Sequence, residues 1–82
     1  MQCIVYSSES CPKCEILKKY LLENNIEHTV QMVEDSEARV DALMLDIYQT
    51  PAVVSGEKVL HQRELFRNGR LDEGTLLSFL GR

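Results

Sequence analysis

Cys11-Pro12-Lys13-Cys14 constrains this chain more than any other stretch. It follows a short apolar run, Cys3-Ile4-Val5-Tyr6, and opens a helical pattern. Pro12 fits a first helical turn, because its missing N–H is unpaired there anyway and its φ is already helical. The spacing therefore predicts a strand-to-helix junction with two thiols one turn apart. Such a pair can close a small disulfide and reopen it. A helix N-terminus stabilises negative charge and so favours the thiolate of the first cysteine. The second thiol is near enough to attack a mixed disulfide formed on the first. The pattern points to thiol–disulfide exchange.

At 82 residues and 44% hydrophobic, the chain is expected to form one domain with a modest core. A core of that size leaves a net stability on the order of a few kcal/mol. The net charge of −4 makes a nucleic-acid partner a poor expectation, since that requires a basic footprint. Glu34, Asp35, Glu37, Asp41 and Asp46 are spread as on a solvated helix face. No apolar run approaches a membrane span, and no basic segment precedes an apolar one as in a leader, so a cytoplasmic protein is the expectation. Three cysteines are an awkward count for a secreted disulfide framework. Cys11 and Cys14 form a natural pair, and Cys3, in a strand-like run, reads as a small buried hydrophobe.

Along the chain, Gln2 to Tyr6 reads as a first strand and Ser7, Ser8 and Ser10 as a loop. Ile16, Leu17, Tyr20 and Leu21 recur at helical spacing after the cysteine pair, and Asn24-Asn25 provides a stop. Ile26 to Met32 reads as a second strand. Asp35 or Ser36 can cap a second helix, whose inward face is predicted to carry Val40, Leu43, Met44 and Ile47. Thr50-Pro51 ends it. Pro51 to Val54 and Lys58 to Leu60 read as a hairpin around Ser55-Gly56-Glu57. Residues 61–71 carry mixed signals: Asn68-Gly69 marks a turn, while Glu64-Leu65-Phe66 fits a helical turn or a strand extension. Asp72 caps a last helix with Leu76, Leu77, Phe79 and Leu80, weakened in its first turn by Gly74. The order β-α-β-α-β-β-α predicts an α/β fold: a four-stranded mixed sheet with helices on both faces, its first two strands parallel through a right-handed crossover.

Cys11 is the better nucleophile candidate, at the helix entrance where unpaired N–H groups point towards its sulfur. Lys13 adds a positive charge nearby, opposed by Glu9 and Glu15. Cys14, one turn in, is expected to be less exposed and to act as the resolving thiol. Thr50-Pro51 is the second element. On spacing alone Pro51 reads as an ordinary trans proline, cis being about one X–Pro bond in twenty. A cis bond beside the cysteines would leave the Thr50 peptide available to an extended substrate, in the manner of an added strand.

Cys11-Pro12-Lys13-Cys14 after a first strand, with Thr50-Pro51 before a hairpin, resembles the thioredoxin superfamily. The length and the Cys-Pro-x-Cys form are most similar to its small glutaredoxin-like branch. The resemblance implies that Pro51 is cis and packs near Cys11, that Cys11 attacks and that Cys14 resolves. It implies no bound cofactor beyond the redox-active disulfide, with glutathione as a possible co-substrate. Glutathione or a thioredoxin-reductase-like donor would regenerate the dithiol, disulfide-bearing proteins would be its substrates, and a monomer would suffice. The chain also departs from the glutaredoxin pattern. Ser8 stands where that branch carries a lysine, Gln49-Thr50-Pro51 replaces Thr-Val-Pro, and Asn68-Gly69-Arg70-Leu71-Asp72 only partly matches a glycine pair followed by an acidic pair. Arg39 and Arg70 are the cations that could substitute.

Two rival readings belong to other classes. A metal-binding module would need more than Cys11 and Cys14, which supply half a tetrahedral set; His28, His61 and Cys3 are the remaining candidates, and both histidines read as surface residues. A metal or iron–sulfur cluster shared between chains through Cys11 follows from the glutaredoxin resemblance, with Pro12 and Ser8 against it. A redox-inert partner-binding domain would use Leu65, Phe66 and Leu71 as an exposed patch; these also read as core, and the intact cysteine pair argues against this class.

Overall fold

A computed structural model describes residues 2–82. The elements are β1 (Ile4–Ser7), α1 (Pro12–Glu23), β2 (Thr29–Met32), α2 (Ser36–Met44), β3 (Ala52–Ser55), β4 (Lys58–Leu60), α3 (Gln62–Leu65), β5 (Phe66–Arg67), β6 (Arg70–Leu71) and α4 (Glu73–Phe79). The main sheet runs β2-β1-β3-β4. β1 pairs parallel with β2, Val5 opposite Val30, and antiparallel with β3, Val5 opposite Val53. β3 and β4 close the antiparallel hairpin. This is the mixed α/β sheet expected from the order of elements. Residues 61–71 contain both structures their sequence hints at: α3 is a helical turn, and Phe66 then enters the small β5–β6 hairpin across Asn68-Gly69. Both turn residues have positive φ, 53° and 76°, as a tight two-residue hairpin requires.

The pleat of β1 divides the core. Cys3 and Val5 face a cluster with Leu17 and Leu21 of α1, Val53, Leu65 and Leu76 of α4. Ile4 and Tyr6 face the other way, towards Ala38 and Ala42 of α2, Ile47, Ala52 and Val54. Strict alternation on a strand covered on both faces produces this split. Leu65 and Phe66 are buried and Leu71 packs against the first cluster, so these residues are core and not an exposed patch.

α2 corrects the sequence reading. Asp35 is its N-cap, its carboxylate accepting from the Glu37 N–H at 2.9 Å. The predicted inward stripe, however, points out: Val40, Leu43 and Met44 are 55%, 50% and 79% exposed. Ala38 and Ala42 face the sheet instead, each 3% exposed. The sheet already offers Tyr6, Ile4 and Val54 here, and small residues let the helix backbone approach that filled surface. The helix also stops at Met44, with Leu45 as C-cap and Asp46 at φ 59°, so Ile47 reaches the core from the following loop.

Smaller differences have similar causes. β2 starts at Thr29, later than the expected Ile26, and is an edge strand with mostly exposed side chains; Ile26 is buried just before it. Ile16 is 46% exposed, and Cys14 takes the inward position one turn before Leu17. Asn24 caps α1 and Asn25 follows at φ 55°, as the paired asparagines suggested. No helix among the described residues is long and apolar enough to cross a membrane.

Candidate active site

β1 ends at Ser7 and the chain turns through Ser10, at φ 53°, into Cys11. Val33 donates its N–H to the Ser7 carbonyl at 2.9 Å, and the Glu34 carboxylate accepts from the Glu9 N–H at 3.1 Å. The loop before the cysteines is thus tied to the segment that follows β2. Cys11 is the N-cap of α1, with extended backbone, and Pro12 is the first helical residue. The Cys11 sulfur accepts from the Cys14 N–H at 3.2 Å. One unpaired donor of the helix N-terminus is therefore aimed at this sulfur, the arrangement that favours a thiolate.

Cys11 and Cys14 are joined in a disulfide, their Cα atoms 5.2 Å apart. Cys11 is partly exposed, whereas Cys14 is fully buried. Lys13 turns over the Phe66 ring, its Nζ 5.6 Å from the centroid, a cation–π contact that holds the ammonium on the β5–β6 side of the motif. Of the two acids expected to oppose it, Glu15 is paired with Lys18 at 2.8 Å.

Thr50 sits beside the pair. The Thr50–Pro51 peptide is cis, and Pro51 is fully buried. The Thr50 carbonyl oxygen is 3.7 Å from Cys11 Sγ, and the Thr50 hydroxyl is 3.8 Å from the same sulfur. Two neighbours that sequence reasoning missed hold Thr50 there. Ser8 Oγ and Thr50 Oγ1 are hydrogen-bonded at 2.6 Å, and Gln62 Nε2 donates to the Thr50 carbonyl at 2.7 Å. The carbonyl side of the Thr50 peptide is thus engaged within the protein. Beyond Thr50 a groove of about 220 Å³ runs along α2, lined by Val33, Arg39, Ala42, Leu43 and Ile47. Arg39 Nε donates to the Val33 carbonyl at 3.3 Å on its wall. Arg70 lies away from this groove, on β6. None of these partners carries a local sequence signal, because each contact closes only when the sheet brings distant segments together.

The remaining candidates are elsewhere. Cys3 is a free, buried thiol on the core side of β1; burial pushes its pKa up, against a smaller opposing pull from Arg82. His28 Nδ1 is 2.8 Å from the Ile26 carbonyl oxygen, and His61 precedes α3. Among the described residues no three His, Cys, Asp or Glu side chains gather as a metal site.

No family model matches the chain, and no curated protein matches it. Solved structures do. A point mutant of the thioredoxin-like protein BC3987 superposes with a TM-score of 0.77 and 30% sequence identity, over 96% of this chain and 99% of that one. The chain is a thioredoxin-like protein. The unmutated BC3987 structure agrees, with a TM-score of 0.76 and 29% identity over 94% of this chain and 97% of that one. In this thioredoxin-like chain the fold and the Cys11–Cys14 disulfide together support a redox role in thiol–disulfide chemistry.

Proposed function

We propose that this protein is a dithiol–disulfide oxidoreductase acting on protein or mixed disulfides. The Cys11 thiolate attacks one sulfur of the substrate disulfide, forming a mixed disulfide and expelling the other sulfur as a thiolate that takes up a proton. Cys14 then loses its proton and attacks Cys11 Sγ, releasing the second substrate thiolate. The substrate gains two electrons and the dithiol loses them, ending as the Cys11–Cys14 disulfide. The observation that carries this reading is the contrast within the pair: a partly exposed Cys11 sulfur on a helix N–H, and a fully buried Cys14 within bonding reach.

The electron donor we propose is a flavin-dependent reductase of the thioredoxin-reductase type. Ser8, standing where the glutaredoxin-like branch carries a lysine, spends its hydroxyl on Thr50. Lys13 leans on Phe66, so neither residue offers a free cation beside Cys11. Arg39, on the groove next to Thr50, is the observation that favours glutathione as the other donor.

The test is NADPH consumption with a small mixed disulfide, recycled in parallel by glutathione plus glutathione reductase and by a thioredoxin reductase. Turnover with the thioredoxin reductase alone is the expected result; turnover with glutathione alone reverses the donor assignment. Cys11→Ser and Cys14→Ser should each stop dithiol turnover, and Cys14→Ser should accumulate the mixed disulfide on Cys11, visible as an added mass. If Cys14→Ser reduces protein disulfides at the wild-type rate, the resolving role is wrong.

A further inference from the structure

Four of the seven large apolar side chains left exposed among the described residues lie together on α2 and the loop after it: Val40, Leu43, Met44 and Tyr48. Single exposed apolar residues are ordinary, whereas a group of them on one surface marks a place where another molecule sits. Ala38 and Ala42 fix the inward side of α2. At 3.6 residues per turn, Val40 stands opposite them, with Leu43 to one side and Met44 to the other. The stripe has the i, i+3, i+4 spacing by which a helix packs on a partner. Leu43 also lines the groove that ends at Thr50, whose carbonyl oxygen is 3.7 Å from Cys11 Sγ. A segment lying on the stripe is thereby led towards the reactive sulfur.

The charge around the stripe selects its occupant. Residues 34–46 carry five carboxylates, Glu34, Asp35, Glu37, Asp41 and Asp46, against the single guanidinium of Arg39. Their net charge of −4 equals that of the entire chain, so the remainder of the protein is balanced. Glu37 and Asp41, four residues apart, flank the stripe on its Met44 side. Arg39 is on the groove side, against the Val33 carbonyl. A second copy docking two-fold through the same stripe would set acid against acid. Anionic lipid and nucleic acid would be repelled. An apolar segment with lysines or arginines beside it complements both the stripe and its rim.

We infer that the outer face of α2 is a docking surface for a cationic, apolar segment of a disulfide-bearing protein substrate. The inference rests on the proposed oxidoreductase function and names its substrate class: proteins whose disulfide lies near a basic amphipathic segment. The surface acts before the chemistry. Its charge speeds encounter, and the apolar stripe holds the segment while Cys11 reaches the disulfide. No bond is made or broken on α2.

The experiment uses three peptides, each with one cysteine held as a mixed disulfide with thionitrobenzoate. The first carries leucines at helical spacing flanked by lysines. The second replaces its lysines by glutamates, and the third replaces its leucines by serines. Cysteine in the same mixed disulfide is the small reference. Reduced protein is mixed with each in a single turnover: its dithiol supplies two electrons, and the yellow thionitrobenzoate thiolate reports the rate. The lysine–leucine peptide should react about tenfold faster than the glutamate–leucine peptide at low salt, and the gap should close in concentrated salt. It should exceed the lysine–serine peptide by about three- to tenfold, and Met44→Ser should remove a similar factor. Glu37→Lys combined with Asp41→Lys should reverse the charge preference. Wild type and both variants should reduce the small reference at one rate. Equal rates for the three peptides, or a charge preference that the double variant leaves unchanged, would overturn the inference. If no disulfide is reduced, the small reference included, the proposed function fails. Fluorescence anisotropy of the labelled lysine–leucine peptide then decides the docking surface by itself: weaker binding to both variants supports it, and equal binding overturns it.

Discussion

Gln62 Nε2 donates to the Thr50 carbonyl at 2.7 Å, and that oxygen in turn faces Cys11 Sγ at 3.7 Å. A carbonyl oxygen beside a thiolate repels it; a donor on that oxygen draws off part of its negative charge. Gln62 therefore favours the ionised form of Cys11 without touching it. Gln62→Ala should slow alkylation of reduced Cys11 at neutral pH by about two- to fivefold and cost about 1 kcal/mol of stability, the scale of one hydrogen bond. Gln62→Glu should slow it further, because a carboxylate cannot donate to the carbonyl. The rate of iodoacetamide reaction against pH checks both. An unchanged pH profile in both variants would make Gln62 a tether for α3 and nothing more.

The outward stripe of α2 gives a second test. Ala42 is almost fully buried against the sheet, while Met44 is mostly exposed. Ala42→Leu should overpack that face and cost roughly 1–3 kcal/mol. Met44→Lys should fall within roughly 0.5 kcal/mol of wild type. Denaturant midpoints of the two variants decide the matter. The reverse ranking would put the large side chains of α2 in the core after all.

Cys3 should be chemically silent in the folded protein. Burial pushes its pKa up, and it is 5% exposed. Reduced native protein should take up one equivalent of iodoacetamide, on Cys11, because Cys14 is buried as deeply as Cys3; in denaturant it should take up three. Oxidised protein in denaturant should take up one. Intact mass reads all three counts, and rapid labelling of native Cys3 would contradict its place in the core.

Asp72 supplies a pH dependence at the acid end. Its carboxylate accepts from the Thr75 N–H at 3.1 Å as the N-cap of α4. That hydrogen bond, with a smaller contribution from Arg67, holds its pKa below the ordinary 3.8. A depressed carboxylate stabilises the fold only while ionised. Its contribution is therefore complete above pH 3.8 and declines as the pH falls through that value towards the folded pKa. Asp72→Asn, which caps but does not ionise, should flatten this part of the stability–pH curve. Unfolding midpoints between pH 5 and pH 2.5 (roughly the acid limb) would reveal it.

The sequence determined the order of elements. Pro12 at a helix start, the paired asparagines 24 and 25, Asp35 and Asp72 as caps and Asn68-Gly69 as a turn act within a few residues, through backbone geometry that local side chains control. The same locality put Cys11 and Cys14 one turn apart, so the reactive pair was readable before any fold. Tertiary structure decided what local pattern leaves open. It turned α2 so that alanines face the sheet, because the sheet already supplied the bulk there. It gathered Ser8, Cys11 and Gln62 around Thr50 through contacts 42, 39 and 12 residues apart in sequence. It also buried Ser7 at the end of β1, its hydroxyl without a hydrogen-bond partner. Hydrogen bonds between distant segments are set by which strands pair and in what register. No window of sequence holds that information until the sheet has formed.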